Sequence, residues 1–126
     1  MTTLNKKILI VDTDTLFLDA IGKRLKELLI GVEVIACSDG QDALKKVRRQ
    51  HPDLVIIEDS LASIDGYKLS RLLKFDKRYQ MIPVILLAHH IDEQSASLSK
   101  EVGAEELISR FNNAAILEKV KLYLKI

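Results

Sequence analysis

The stretch HPDLVIIEDSLASIDGYKL, residues 51–69, decides the fold. Its four consecutive apolar residues at 54–57 are too few for a helix and are typical of a strand buried on both faces of a parallel sheet. Two carboxylates, Glu58 and Asp59, follow at once, and Asp65 has a side chain suited to beginning a helix. The stretch therefore predicts a buried strand, an acidic loop and a helix, which together form the repeating unit of an α/β protein.

The same unit recurs along the whole chain. Apolar runs at residues 8–11, 32–36, 54–57 and 84–87, with a weaker pair at 107–108, predict five strands. Apolar residues at helical spacing separate them, in stripes of Phe17, Ile21, Leu25 and Leu28; Leu44 and Val47; Leu69, Leu72 and Leu73; and Leu117, Val120 and Leu124. The segment at 92–102 has the weakest stripe, so its helix should be the most exposed. The alternation implies right-handed crossovers and a parallel sheet covered by helices on both faces.

The starts of four helices can be predicted from polar side chains that accept hydrogen bonds from free backbone amides. The predicted caps are Ser38, with Gln41 three residues later as in a capping box, then Asp65, Asp92, and Asn112 or Asn113.

Length and composition restrict the classes of function. At 126 residues the chain has the usual size of one domain, so we predict a single domain over residues 1–126. Nineteen basic and eighteen acidic residues leave a net charge of +1, which is not typical of nucleic-acid binding. Cys37 is the only cysteine, residues 1–7 contain no apolar signal-peptide core, and no apolar run reaches membrane-spanning length. We therefore expect a cytoplasmic protein that binds neither nucleic acid nor membranes.

Charged side chains follow three of the predicted strands. Asp12 and Asp14 come after the first strand, and Glu58 and Asp59 after the third. Because the carboxyl ends of parallel strands meet at one edge, these carboxylates should lie close together, where their repulsion requires a cation. Arg110 follows the fifth strand, and we predict that it pairs with Glu58 or Asp12 as a permanent cation.

Five segments of the sequence, ILIVDTDTLFLDAI, DGQDAL, HPDLVIIEDSLASIDGYKL, IPVILLAHH and VGAEELISRF, resemble successive landmarks of the receiver domain of bacterial two-component response regulators. The resemblance extends from about Lys6 to the end of the chain, and its most specific part is HPDLVII followed by DGYKL. It implies a doubly wound, CheY-like (flavodoxin-like) three-layer α/β sandwich with strand order 2-1-3-4-5. It also implies a signalling module of a phosphorelay rather than an enzyme.

The resemblance assigns family roles to individual positions. In that family an aspartate after strand three accepts a phosphoryl group from a histidine kinase, and acidic residues after strand one hold Mg²⁺. A Thr or Ser after strand four, an aromatic residue in strand five and a Lys after strand five respond to the phosphoryl group. By this resemblance Glu58 stands at the acceptor position, Ala88 and Leu107 at the two switch positions, and Arg110 at the lysine position.

This sequence departs from the family at most of those positions. Glu58 is longer than aspartate by one methylene, and in-line phosphoryl transfer depends on positioning. Thr13 stands where the main metal-binding aspartate is expected, so Mg²⁺ binding should be weak or absent. Ala88 has no hydroxyl, and Phe111 replaces a proline, so its peptide bond should be trans.

These departures predict a pseudo-receiver that acts through phosphorylation-independent protein–protein interaction and has no catalytic residue or bound metal. By analogy with the family, its partner would be a histidine kinase or a downstream effector. The expected contact surface is helix four, strand five and helix five.

Two alternatives concern the acidic residues. The first is residual phosphoryl acceptance at Glu58 or Asp59, although strand alternation is expected to aim Asp59 away from the pocket. The second is a haloacid-dehalogenase-type phosphatase, because ILIVDTDTLF also resembles that nucleophile motif, with Asp12 as nucleophile and Asp14 as general acid. Leu16 departs from that motif, and no room remains for the flap that such enzymes carry.

A third alternative is a metal site in which His89 and His90 join Asp12 and Glu58. No spaced set of ligands accompanies the two histidines, and adjacent loop histidines more often face solvent.

Overall fold

The computed structural model describes residues 5–126, so residues 1–4 of the predicted domain lie outside the described residues. In the described part, strands and helices alternate as predicted. The bounds are β1 Lys6–Val11, α1 Thr15–Leu28, β2 Val32–Cys37, α2 Gly40–Gln50, β3 Leu54–Glu58, α3 Gly66–Lys74, β4 Val84–Ala88, α4 Glu93–Glu101, β5 Glu106–Ser109 and α5 Asn113–Leu124.

The strands form one sheet in the order β2-β1-β3-β4-β5, and every neighbouring pair is parallel. The predicted fold and strand order are therefore confirmed. All residues of β3 and β4 are buried, which explains why residues 54–57 and 84–88 are continuous apolar runs, with Glu58 as the one charged residue of the two strands. The order reverses beside β1, and in such sheets the functional crevice lies at the carboxyl ends of the strands next to the reversal.

Helices cover both faces of the sheet and produce two cores. Ile8 and Ile10 of β1 point to one face, where α1 and α5 pack on them. Leu9 and Val11 point to the other face, where α2 and α3 contribute the core residues. Because successive side chains of a strand point to opposite faces, β1 contributes residues to both cores.

The apolar stripes of the helices are correct in part. In α1, Leu28 is 45% exposed, and Leu18 is buried together with Ile21 and Leu25. A helix buries positions spaced by three or four residues, and in α1 the buried face is offset from the predicted stripe. Leu72 of α3 is also partly exposed. As predicted, α4 is the least buried helix of the described chain, with Ser99 as its one buried residue.

The helix starts follow the predicted caps at Asp65, Asp92 and Asn112. The prediction of Ser38 is wrong, because Asp39 caps α2 and accepts a hydrogen bond from the backbone N–H of Gln41 at 2.7 Å. The same carboxylate oxygen accepts from the hydroxyl of Ser63 at 2.7 Å, a loop contact that no local pattern indicates. Within residues 5–126, no helix combines the length and apolar character needed to cross a membrane.

Candidate functional site

Two carboxylates are buried where β1 and β3 end. Asp12 directly follows β1 and is fully buried, and Glu58 is the last residue of β3 and is almost fully buried. Gly66 at the start of α3 allows this close packing, because a Cβ there would overlap the backbone of Glu58 and Asp59. Buried carboxylates are costly unless they are paired or hydrogen-bonded, so their partners determine the chemistry of the site.

Arg110 is the partner of Asp12. Its Nε lies 3.1 Å from Oδ2 of Asp12 and its Nη2 lies 3.1 Å from Oδ1, so the guanidinium donates to both carboxylate oxygens. Nη2 also lies 3.3 Å from Oδ2 of Asp14. The guanidinium carbon sits 4.4 Å from the ring centroid of Phe17, which holds the cation against an aromatic face. The predicted pairing with Asp12 is confirmed, and Glu58 is not among the ion-pair partners of Arg110 in the described chain.

Thr13 is the partner of Glu58, a contact that we did not predict. The backbone N–H of Thr13 donates to Oε2 of Glu58 at 2.6 Å, and its hydroxyl lies 2.9 Å from the same oxygen. The resemblance leads one to expect aspartate at both positions 13 and 58. Here Thr13 instead donates hydrogen bonds to Glu58. Two features of the sequence could have indicated this contact: the ends of the first and third strands are expected to be adjacent, and Thr13 carries a hydroxyl that can donate.

His89 joins Glu58 and Asp59 beyond the end of β4. Its Nδ1 lies 2.9 Å from Oδ1 of Asp59, and its Nε2 lies 3.7 Å from Oε1 of Glu58. The prediction that Asp59 points away is wrong, because Asp59 lies past the last residue of β3, where strand alternation no longer applies. The side chains of His90 and His89 are 82% and 44% exposed, so both face solvent as predicted, and His89 in addition contacts Asp59.

Two predicted switch positions have apolar side chains in buried surroundings. Ala88 ends β4 and is fully buried, and Leu107 of β5 packs against the core formed with α2 and α3. The Arg110–Phe111 peptide bond is trans, as predicted, and Phe111 is largely exposed.

A family model for the response regulator receiver domain matches residues 8–121. The chain belongs to this family. The match gives no support to a phosphatase that uses Asp12 and Asp14, or to phosphoryl acceptance at Glu58 or Asp59.

Comparison with individual proteins gives the same family in sequence and in structure. The chain is 31% identical over 123 residues to the alkaline phosphatase synthesis transcriptional regulatory protein PhoP of Bacillus subtilis, a match that covers 97% of this chain and 50% of PhoP. The chain thus spans about half the length of that relative. Among solved structures, the signal receiver domain of a signal transduction histidine kinase from Syntrophus aciditrophicus is 29% identical, with a TM-score of 0.86 and coverage of 95% of this chain and 90% of that one. A CheY-like receiver domain protein from Methanospirillum hungatei is 26% identical, with a TM-score of 0.85 and coverage of 95% and 94%.

Three charged side chains of the site have shifted pKa values. Burial raises the pKa of Glu58, the hydrogen bonds from Thr13 lower it, and the neighbouring Asp12 raises it, with a net upward direction. The hydrogen bonds to Asp12 raise the pKa of Arg110, which therefore remains a permanent cation. The hydrogen bond from the backbone of Phe17 is the main reason that the pKa of Asp14 is lowered.

The raised pKa of Glu58 predicts a pH-dependent effect of Glu58→Gln. A carboxyl group with a raised pKa stabilises the fold fully below its ordinary value of 4.5, and this contribution is lost as pH rises through the higher value in the folded state. Ionised Glu58 therefore lowers stability near neutral pH, and a neutral glutamine does not. In metal-free buffer we expect the variant to unfold at higher denaturant concentration than the parent at pH 8, with the difference disappearing as pH approaches 4.5. A difference that is constant across this range would contradict the assignment.

Proposed function

We propose that this receiver domain transmits signals by protein–protein interaction without being phosphorylated. The observation that carries the proposal is the buried pairing of Arg110 with both oxygens of Asp12. This ion pair neutralises the buried carboxylate from within the protein. In this proposal the permanent Arg110–Asp12 ion pair replaces the metal ion and the phosphoryl group that other members of the family use.

The acceptor position supports the same proposal. Glu58 occupies it, and the short bond from the backbone of Thr13 orients its carboxylate toward β1. Phosphoryl transfer relies on positioning and on stabilisation of charge rather than on covalent help from the protein. A carboxylate that is displaced by one methylene and engaged by Thr13 is poorly placed for in-line attack.

The two switch positions, Ala88 and Leu107, also support the proposal that the domain is not phosphorylated. Ala88 offers a buried methyl group where the family has a hydroxyl, so it has no donor for a phosphoryl oxygen. Leu107 is partly buried against the core and lacks an aromatic ring whose rotation could report the phosphorylation. A phosphoryl group at Glu58 would therefore lack the means of changing the outer surface.

Receiver domains typically bind Mg²⁺ at an acidic pocket, and the residues of this pocket do not fit that ion. Both oxygens of Asp12 accept from Arg110, and Thr13 contributes a hydroxyl that donates to Glu58. Mg²⁺ requires nearly octahedral oxygen ligands and loses its water reluctantly. We therefore propose that Mg²⁺ binding is weak or absent.

The proposed partner is a histidine kinase or a downstream effector in the cytoplasm. By analogy with the family, the contact surface is α4, β5 and α5. Leu122 of α5 is exposed and is available for an apolar contact with a partner. The net charge of +1 favours protein over nucleic acid, and we propose that residues 1–126 act as a single non-enzymatic module.

A magnesium titration tests the proposal that Mg²⁺ binding is weak or absent. We expect no saturable change in the amide resonances near Asp12 and Glu58 when Mg²⁺ is added to millimolar concentration, because the pocket has lost a carboxylate ligand at Thr13. The matched comparison is Thr13→Asp, which restores that ligand and should show saturable shifts. Saturable shifts in the unchanged protein at the same residues would contradict the proposal.

A further inference from the structure

Glu58, Asp59 and His89 bring three metal-binding groups together, with one potential ligand atom from each lying within 4.8 Å of the others. Asp59 holds the imidazole through the 2.9 Å contact between its Oδ1 and Nδ1 of His89. A carboxylate only accepts, so in the neutral ring this contact places the proton on Nδ1 and leaves the lone pair on Nε2. Many metal-binding histidines are oriented by a carboxylate in this way.

The lone pair of His89 faces a second donor atom. Nε2 of His89 lies 3.7 Å from Oε1 of Glu58, which is too long for a hydrogen bond. Two ligands of one tetrahedral zinc ion, each bonded at about 2.1 Å, lie about 3.4 Å apart. The observed separation is therefore close to the one that a shared ion requires.

Glu58 is held with one oxygen turned toward this gap. Thr13 directs its short hydrogen bonds, at 2.6 and 2.9 Å, to Oε2. Within residues 5–126, the one hydrogen bond that reaches Oε1 is the longer 3.2 Å contact with the same hydroxyl. The carboxylate is therefore fixed by Thr13 and keeps lone pairs on Oε1 for another ligand.

The local charge also favours a cation. Arg110 is shared between Asp12 and Asp14, and no lysine or arginine of the described chain forms an ion pair with Glu58 or Asp59. The side chain of His89 is 44% exposed, so water can reach the gap and complete the coordination of an ion.

We propose that His89 Nε2 and Glu58 Oε1, with Asp59 orienting the imidazole, bind a divalent transition-metal ion such as Zn²⁺. An imidazole ligand suits zinc, copper and nickel, whereas Mg²⁺ prefers oxygen alone. The site differs from the magnesium pocket of the family because it uses His89 and Asp59 and requires no carboxylate at position 13. It goes beyond the proposed function, which makes no use of a transition metal.

Calorimetric titration with Zn²⁺ tests the proposed site. The protein should carry no purification tag, because the histidines of a tag would also bind Zn²⁺. We expect one ion per chain for the parent protein. His89→Asn should weaken binding by more than about 100-fold, and Asp59→Asn by about 10- to 100-fold, because the first removes a ligand and the second removes its orientation. The matched control is His90→Asn, which removes the neighbouring exposed histidine and should leave the affinity unchanged.

Imidazole nitrogen resonances provide a second readout that does not depend on the variants folding. Added Zn²⁺ should shift Nε2 of His89 and leave both nitrogens of His90 in place. The proposal fails if the parent shows no saturable Zn²⁺ binding, if His90→Asn weakens binding as much as His89→Asn, or if the shift falls on His90. Saturable Zn²⁺ binding without Mg²⁺ binding leaves the proposed function intact, so the two proposals can fail separately.

Discussion

Replacing Arg110 with alanine is expected to lower the free energy of unfolding by about 3 kcal/mol. The substitution removes both hydrogen bonds to Asp12, which is fully buried and has no access to water. An uncompensated buried carboxylate is among the most destabilising changes available to a small domain. The contact of the guanidinium with the ring of Phe17 is lost as well. Urea denaturation at neutral pH measures the change.

The matched control is Arg78→Ala, which removes a similar arginine–carboxylate contact on the surface. Arg78 pairs with Asp76 at 2.8 Å, but its side chain is 68% exposed, so we expect a loss below about 1 kcal/mol. Adding Asp12→Asn to the Arg110→Ala variant should recover part of the lost stability, because a neutral amide does not require a cation. Equal losses for the two arginine variants, or strictly additive effects of the Asp12 and Arg110 changes, would show that the ion pair does not stabilise the fold.

Glu58→Asp alone is expected to leave the domain unlabelled by acetyl phosphate, and the combination with Thr13→Asp is expected to produce labelling. The single change restores the length of the acceptor but leaves Thr13 where the main metal-binding aspartate is expected, so charge developing on the phosphoryl group is not offset by a metal cation. The double change supplies both. Intact mass after incubation with Mg²⁺ counts the phosphoryl groups gained.

Two further changes separate uptake from response in the double variant. Arg110→Lys removes the planar fork that occupies both oxygens of Asp12, so it should increase labelling. Ala88→Thr supplies a hydroxyl and should change the amide spectrum of the labelled form more than the amount of label. Efficient labelling of the Glu58→Asp single variant would show that one methylene alone keeps the acceptor silent.

The fold was predictable because its determinants are local. A strand that is buried on both faces must be a continuous apolar run, and residues 54–57 and 84–87 are such runs. Alternation with helices then leaves few topologies. The stripe of α1 was less predictable, because that helix carries apolar residues on several faces and only packing selects Leu18 over Leu28.

The members of the site were predictable, but their partners were not. Position after a strand brings Asp12, Glu58 and Arg110 to one edge of the sheet. Which carboxylate receives the guanidinium depends on the reach of the side chain, and the sequence left Glu58 and Asp12 open. The donation from Thr13 to Glu58 depends on the register that aligns Val11 of β1 with Ile57 of β3, which no local pattern reveals.

The prediction for Asp59 failed because strand alternation was applied beyond the end of the strand. Alternation holds inside a strand, and Asp59 lies one residue past the end of β3. There the loop directs its carboxylate to His89, which follows β4 directly. Predicting this contact requires the exact end of β3, and strand ends are less well determined by sequence than strand centres.

Intact-mass measurement of the unchanged protein after incubation with acetyl phosphate and Mg²⁺ tests the central claim most directly, with the Glu58→Asp, Thr13→Asp double variant as the positive control. We predict no gain of mass, because Arg110 occupies Asp12 and Thr13 engages Glu58. The stable gain of one phosphoryl group, mapped to Glu58 or Asp59, would contradict a receiver domain that works without phosphorylation.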